Sequence, residues 1–157
     1  MKIVPTVSKA VSKAEGLLYV DTSALLKLYF REPESKTTND FLRGRRDVVI
    51  SQLAVTEMVS ALARRCREGA LDVAIASEAQ QAVLDHIETG VFRCLEMFPD
   101  IHREAERMLL TTSAVPLRAA DALHLALARN ARAKTLVTFD RRMTEAGRAV
   151  GFVTLPR

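Results

Sequence analysis

Four acidic residues stand where a carboxylate needs a reason. Asp21 closes the apolar run LLYV and is followed directly by two hydroxyls, Thr22 and Ser23. Asp140 comes just after another apolar run, LVT, whose last residue is Thr138. Asp121 interrupts AADALHLALA, a segment otherwise apolar all round except for His124. Glu57 lies in SQLAVTEMVSALARR, where its helical neighbours Leu53, Ala54 and Ala61 offer no cationic partner. An ionised carboxylate in apolar surroundings costs on the order of several kcal/mol unless a cation or hydrogen-bond donors reach it.

Four acids brought to one place repel one another and raise their own pKa values unless a divalent cation sits among them. Hard oxygen ligands with no His or Cys cluster select Mg²⁺, or Mn²⁺ as a substitute, over zinc. Such a site suits phosphate esters: the cation acidifies a water, orients it for in-line attack and stabilises the leaving oxygen, so no Ser or Cys nucleophile is required. Thr22, Ser23 and Thr138 are placed to orient carboxylates or waters in support.

All of these residues but Asp121 also have a plainer reading. Asp21 and Asp140 are equally well helix N-caps, and the three hydroxyls serve turns or caps, Thr22 and Ser23 capping the helix behind Asp21. Glu57 is then an exposed residue opposite a Val55 stripe. His124, a lone imidazole on an apolar helix, reads as a satisfied core residue rather than an acid or base. Arg141 and Arg142 read as a solvated charge pair as readily as a grip on phosphate, and they stay outside the catalytic set.

The elements that must carry these residues alternate between strand and helix. LLYV at 17–20, DVVIS at 47–51 and the strand within KTLVTFD at 134–140 are short apolar runs suited to strands buried on both faces. VFRCLEM after Gly90 and GFVTL at the end complete the set of strands. Helical spacing runs through TSALLKLYF, residues 34–43, and Gln52 to Glu68 by way of Val55, Val59, Leu62 and Cys66, where Gly69 stops it. It resumes through Leu71, Ile75, Ala79, Ala82 and Ile87, at 99–112, at 117–131 and after Asp140. Strands alternating with helices predict an α/β domain with a mostly parallel sheet and helices on both faces. Asp21 and Asp140 then fall at the carboxyl ends of strands, the edge where open α/β sheets bind ligands.

Composition bounds the rest. A chain of 157 residues suits one domain, here 17–157, with residues 1–16 read as a loose extension. Hydrophobic residues at 48% and charged residues at 27% are ordinary for a folded domain, which excludes extensive disorder. The net charge of +4 leaves room for an anionic partner without requiring one. Cys66 and Cys94 read as buried reduced thiols and hence point to the cytoplasm. No uncharged run approaches the roughly 18 residues of a membrane span.

YVDTSALLKLY, the Glu57 segment, AADALHLALA and TLVTFDRRM, in this order and spacing, resemble a PIN domain, specifically the VapC-type toxins of bacterial toxin–antitoxin pairs. The resemblance runs from Leu17 to the C-terminus. It implies a three-layer αβα PIN-like domain and a Mg²⁺-dependent endoribonuclease that cuts single-stranded or loop RNA of the tRNA or rRNA class. Carried over by position, Asp21, Glu57, Asp121 and Asp140 match the family's acidic quartet, and Thr138 its hydroxyl before the last acid. The resemblance makes Asp21 and Asp121 the firmest metal ligands, Asp140 a more variable one, and lets Glu57 act through water. It further implies a VapB-like antitoxin that covers the acidic cleft and inserts an Arg or Lys, a homodimer, and no membrane partner. Similar proteins place the first acid closer to the start than here. Two other classes stay open: an aspartyl-phosphate phosphatase or phosphotransferase with Asp21 as nucleophile, although Ser23 stands where a second acid is usual, and a non-catalytic RNA- or protein-binding module on the same fold.

Overall fold

A computed structural model describes residues 16–112 and 115–156. The extension expected at 1–16 therefore lies outside the described residues except for Gly16. The elements run β1 (Leu18–Val20), α1 (Thr22–Tyr29), α2 (Ser35–Leu42), β2 (Val48–Ser51), α3 (Gln52–Arg67), α4 (Val73–Glu88), β3 (Arg93–Leu95), α5 (Pro99–Thr111), α6 (Ala119–Asn130), β4 (Thr135–Val137), α7 (Arg141–Ala149) and β5 (Val153–Leu155). Every predicted strand and helix has its counterpart.

The five strands form one sheet in the order β3-β2-β1-β4-β5, and every pairing is parallel. Helical crossovers force this, because a parallel neighbour cannot be reached through a tight turn. The central strands are covered on both faces, which is why they read as continuous apolar runs rather than alternating ones. Leu18, Val20, Val48, Ile50 and Val137 pack with α1–α4 on one face. Tyr19, Val49 and Leu136 pack with α5, α6 and α7 on the other. The result is three layers, with the period-two alternation of each strand dividing its side chains between two cores.

Two local features fix helix positions. Gly69, at φ +71°, ends α3: its left-handed conformation lets Ala70 N–H reach the carbonyl of Arg65, closing the helix end. Gly147 on α7 has no room for a side chain, since a Cβ there would lie 2.7 Å from Leu136 Cδ2 and 3.3 Å from Thr154 Cγ2. Glycine thus lets α7 settle close against the sheet.

Two expected burial patterns are corrected. The face of α3 fully buried is Ala54, Met58 and Leu62, while Val55, Val59 and Cys66 are only partly buried. The helix has neighbours in α1, α4 and β2, so its buried stripe is broader than, and shifted by one residue from, the one the valines mark. Cys66 and Cys94 are free thiols but half-buried, because Cys94 lies on β3, the edge strand of the sheet, and Cys66 on the last turn of its helix.

Candidate active site

The order of strands reverses at β1: the sheet grows one way to β2 and β3, the other way to β4 and β5. The crevice at the carboxyl ends of β1 and β4 is the switch point where such sheets bind ligands. Asp21 follows β1 immediately and Asp140 follows β4. Buried strands that end together put both acids at that edge.

Asp21 is 4% exposed. Its Oδ1 accepts from Ala24 N–H at 2.9 Å and from Ser23 Oγ at 2.7 Å, and its Oδ2 accepts from Thr138 Oγ1 at 2.5 Å. Ser23 also accepts from Phe139 N–H, and Thr138 accepts from Asp140 N–H, so the two strand ends are tied together around this carboxylate. Burial pushes the Asp21 carboxyl above its usual range, against the pull of Thr138, His124, Ala24 and Ser23. Among the described residues no Lys or Arg pairs with it. Asp21 does cap α1, as the plainer reading had it, and takes that role from Thr22 and Ser23, which turn to acids instead.

Glu57 is not on an outer face. Its side chain is 35% exposed, and its Oε2 accepts from Thr22 Oγ1 at 2.5 Å and lies 2.7 Å from His124 Nε2. The His124 hydrogen bond, reinforced by Thr22, holds the Glu57 carboxyl below its usual range. Glu57 comes from α3 on one side of the sheet and His124 from α6 on the other, so this contact spans the layers over the sheet edge. His124 is buried and satisfied, as expected, but its partner is one of the four acids. Its Nδ1 lies 2.7 Å from Tyr19 Oη, which in turn lies 2.8 Å from Ser51 Oγ.

Tyr19, Ser51 and His124 thus join the site although sequence reasoning passed over the first two. The available signal was polar atoms inside otherwise apolar elements: a phenol in LYV, and an imidazole one turn after Asp121.

Asp121 corrects an expectation. Residues Ala122 and His124–Ala128 are buried, yet Asp121 is only partly so, because it lies in the first turn of α6, where the helix emerges from the core. Its Oδ2 accepts from Arg118 N–H at 3.0 Å, a local donor that lowers the cost of the charge. Asp140 is exposed and caps α7 through Oδ1, which accepts from Met143 N–H at 2.9 Å. Arg141 bonds Glu145 on its own helix.

Each acid is thus drawn to nearby donors, and among the described residues no three His, Cys, Asp or Glu side chains stand together as a group able to hold a metal ion. The donor chemistry nevertheless fits a hard divalent cation: the acids supply oxygen only, Asp21 is a buried carboxylate lacking a basic partner, and Glu57 Oε1, Asp121 Oδ1 and Asp140 Oδ2 have no protein partner among the described residues.

The PIN domain family model matches residues 18–149. The chain is 32% identical over 143 residues to ribonuclease VapC46 of Mycobacterium tuberculosis, covering 88% of this chain and 95% of the relative. It is 31% identical over 144 residues to ribonuclease VapC47 of the same organism, with the same coverage. Among solved structures, Mycobacterium tuberculosis VapC20, described as a sarcin–ricin loop cleaving toxin, superposes with a TM-score of 0.66 at 22% identity, covering 83% of this chain and 95% of that one. PAE2754 of Pyrobaculum aerophilum gives 0.65 at 25% identity, covering 89% and 90%. With the three-layer parallel fold and Asp21 and Asp140 at its switch point, these matches establish that the chain belongs to the PIN domain family, in its VapC type.

Proposed function

We propose that this chain is a Mg²⁺- or Mn²⁺-dependent endoribonuclease that cuts single-stranded or loop RNA of the tRNA or rRNA class. In this reading it is the toxin of a type II toxin–antitoxin pair and acts in the cytoplasm. The observation that carries the chemistry is Asp21, a buried carboxylate fixed at the switch point with no Lys or Arg among the described residues paired to it. Related chains named as ribonucleases support RNA as the substrate. No helix among the described residues is long and apolar enough to cross a membrane.

Asp21, Asp121 and Asp140 would hold the cation. When bound, it supplies Lewis-acid stabilisation of charge on the phosphodiester. The protein's own groups do the rest. Ser23 and Thr138 lock the Asp21 carboxylate in one orientation. Glu57, held ionised by Thr22 and His124, keeps Oε1 to accept a proton from the attacking water. The partner of such a cleft is a VapB-like antitoxin with a cationic side chain for these acids, and the active form is a homodimer.

An aspartyl-phosphate mechanism finds little support, because Ser23 stands where such a mechanism usually has a second acid, and its hydroxyl is spent on Asp21. The deciding experiment is RNA cleavage mapping with purified protein and Mg²⁺ or Mn²⁺, beside Asp21→Asn and Asp121→Asn. Cleavage by the parent that is lost in both folded variants is the expected result. Variants that cut as well as the parent would overturn the mechanism.

A further inference from the structure

A chain of buried polar atoms runs from the end of β2 to the site. Ser51 Oγ accepts from Ala54 N–H at 3.1 Å, which leaves its hydroxyl proton for Tyr19 Oη at 2.8 Å. With Ser51 as donor, Tyr19, wholly buried, has its own proton for His124 Nδ1 at 2.7 Å. His124 Nε2 must carry the ring proton, because its partner, Glu57 Oε2, is a carboxylate oxygen that also accepts from Thr22. In this arrangement every donor and acceptor is satisfied, and all the donated protons run toward Glu57. Both bonds to Glu57 end on Oε2, so the other oxygen, Oε1, is left without a partner among the described residues.

We infer that Tyr19 and His124 form a positioning pair: they fix the tautomer of the imidazole so that it holds Glu57 with Oε1 turned to the reaction, while neither touches the substrate. This rests on the reading of the site as a ribonuclease centre. The nature of the residues fits the task. A phenol wholly buried 2.7 Å from Nδ1 has a proton to give to a ring nitrogen that can accept it. An edge-type contact between the two rings, with centroids 5.8 Å apart and planes at 69°, further restrains the imidazole. Tyr19 lies on β1, the strand that delivers Asp21, so the same element sets the orientation of both acids.

Two measurements test this. Nitrogen NMR of the His124 ring in the cation-free protein should show Nε2 protonated and Nδ1 bare; the Nδ1–H tautomer, which leaves nothing to donate to Glu57, would overturn the inference. In RNA cleavage, His124→Asn, whose amide replaces only the Nδ1 side, should lower kcat roughly 10- to 100-fold with KM close to the parent's. His124→Gln, whose amide reaches the Nε2 position and can still donate to Glu57, should recover most of that loss. Equal losses in the two variants, with both folded, would show a merely structural role and sink the idea. Should the parent itself fail to cut RNA with Mg²⁺ or Mn²⁺, the ribonuclease reading falls, and the tautomer alone decides the positioning.

Discussion

Thr138 Oγ1 donates to Asp21 Oδ2 at 2.5 Å, joining residues 117 apart in sequence across the switch point of the sheet. The same hydroxyl accepts from Asp140 N–H at 3.1 Å, so one buried side chain positions one acid and the backbone of another. Thr138→Val preserves shape and strand preference but takes this hydroxyl from Asp21 Oδ2 and from Asp140 N–H. We expect a loss of about 1–3 kcal/mol in urea unfolding and a roughly 10- to 100-fold loss of RNA cleavage. Thr138→Ser should retain most of both, and a Val variant as active as the parent would show the hydroxyl to be incidental.

The fold was legible because its signals are local. LLYV and DVVIS are apolar without alternation, which only a strand covered on both faces requires, and Asp21 marks where the first one ends. The Tyr19–His124–Glu57 contacts were not legible, since their partners lie 105 and 67 residues apart and nothing in either neighbourhood encodes the other. Asp121 shows a different limit: a helical wheel describes direction around the axis but not position along it, and the first turn of α6 emerges from a core that its later turns enter. In the sequence, Asp21 and Asp140 read equally well as caps or as site acids. They are caps, and capping occupies Oδ1 in each while leaving Oδ2 to other partners.

Stability should depend on pH through Asp21 in an unusual sense. Burial raises its pKa in the folded state, so between its unfolded and folded pKa values the native protein holds the extra proton. That contribution is fully present below the unfolded value and is lost as pH rises through the folded one. Asp21→Asn removes the buried charge with nearly the same shape. In a chelator it should therefore be more stable than the parent at neutral pH, with a flatter profile on the acid side. Glu57 has the opposite sign: its lowered pKa contributes stability above the unfolded value that is lost as pH falls through the folded one. Urea denaturation across pH for the parent, Asp21→Asn and Glu57→Gln checks both, and an Asn variant less stable than the parent at neutral pH would contradict the account.

A divalent cation that neutralises Asp21 should stabilise the parent in proportion to its occupancy. At a hundred times the dissociation constant the gain is about 2.7 kcal/mol. We expect Mg²⁺ or Mn²⁺ to raise the thermal midpoint, EDTA to return it, and Asp21→Asn to show little response. An equal rise in both proteins would place the binding elsewhere.

Asp140 offers the clearest separation of a structural from a chemical role. It caps α7 by accepting from Met143 N–H, and an amide oxygen caps about as well as a carboxylate. Asp140→Asn should therefore keep the stability of the parent, whereas Asp140→Ala should lose about 1 kcal/mol. Exposure of the side chain means that no core packing confounds the comparison. For cleavage the order differs: an amide is a poor ligand for a hard cation, so Asn and Ala should both be impaired, and to a similar degree. Chemical denaturation and cleavage rates measured on the same three proteins test this. If activity instead follows stability, with Asn as active as the parent and only Ala reduced, Asp140 is a helix cap and the cation is held by Asp21 and Asp121 without it.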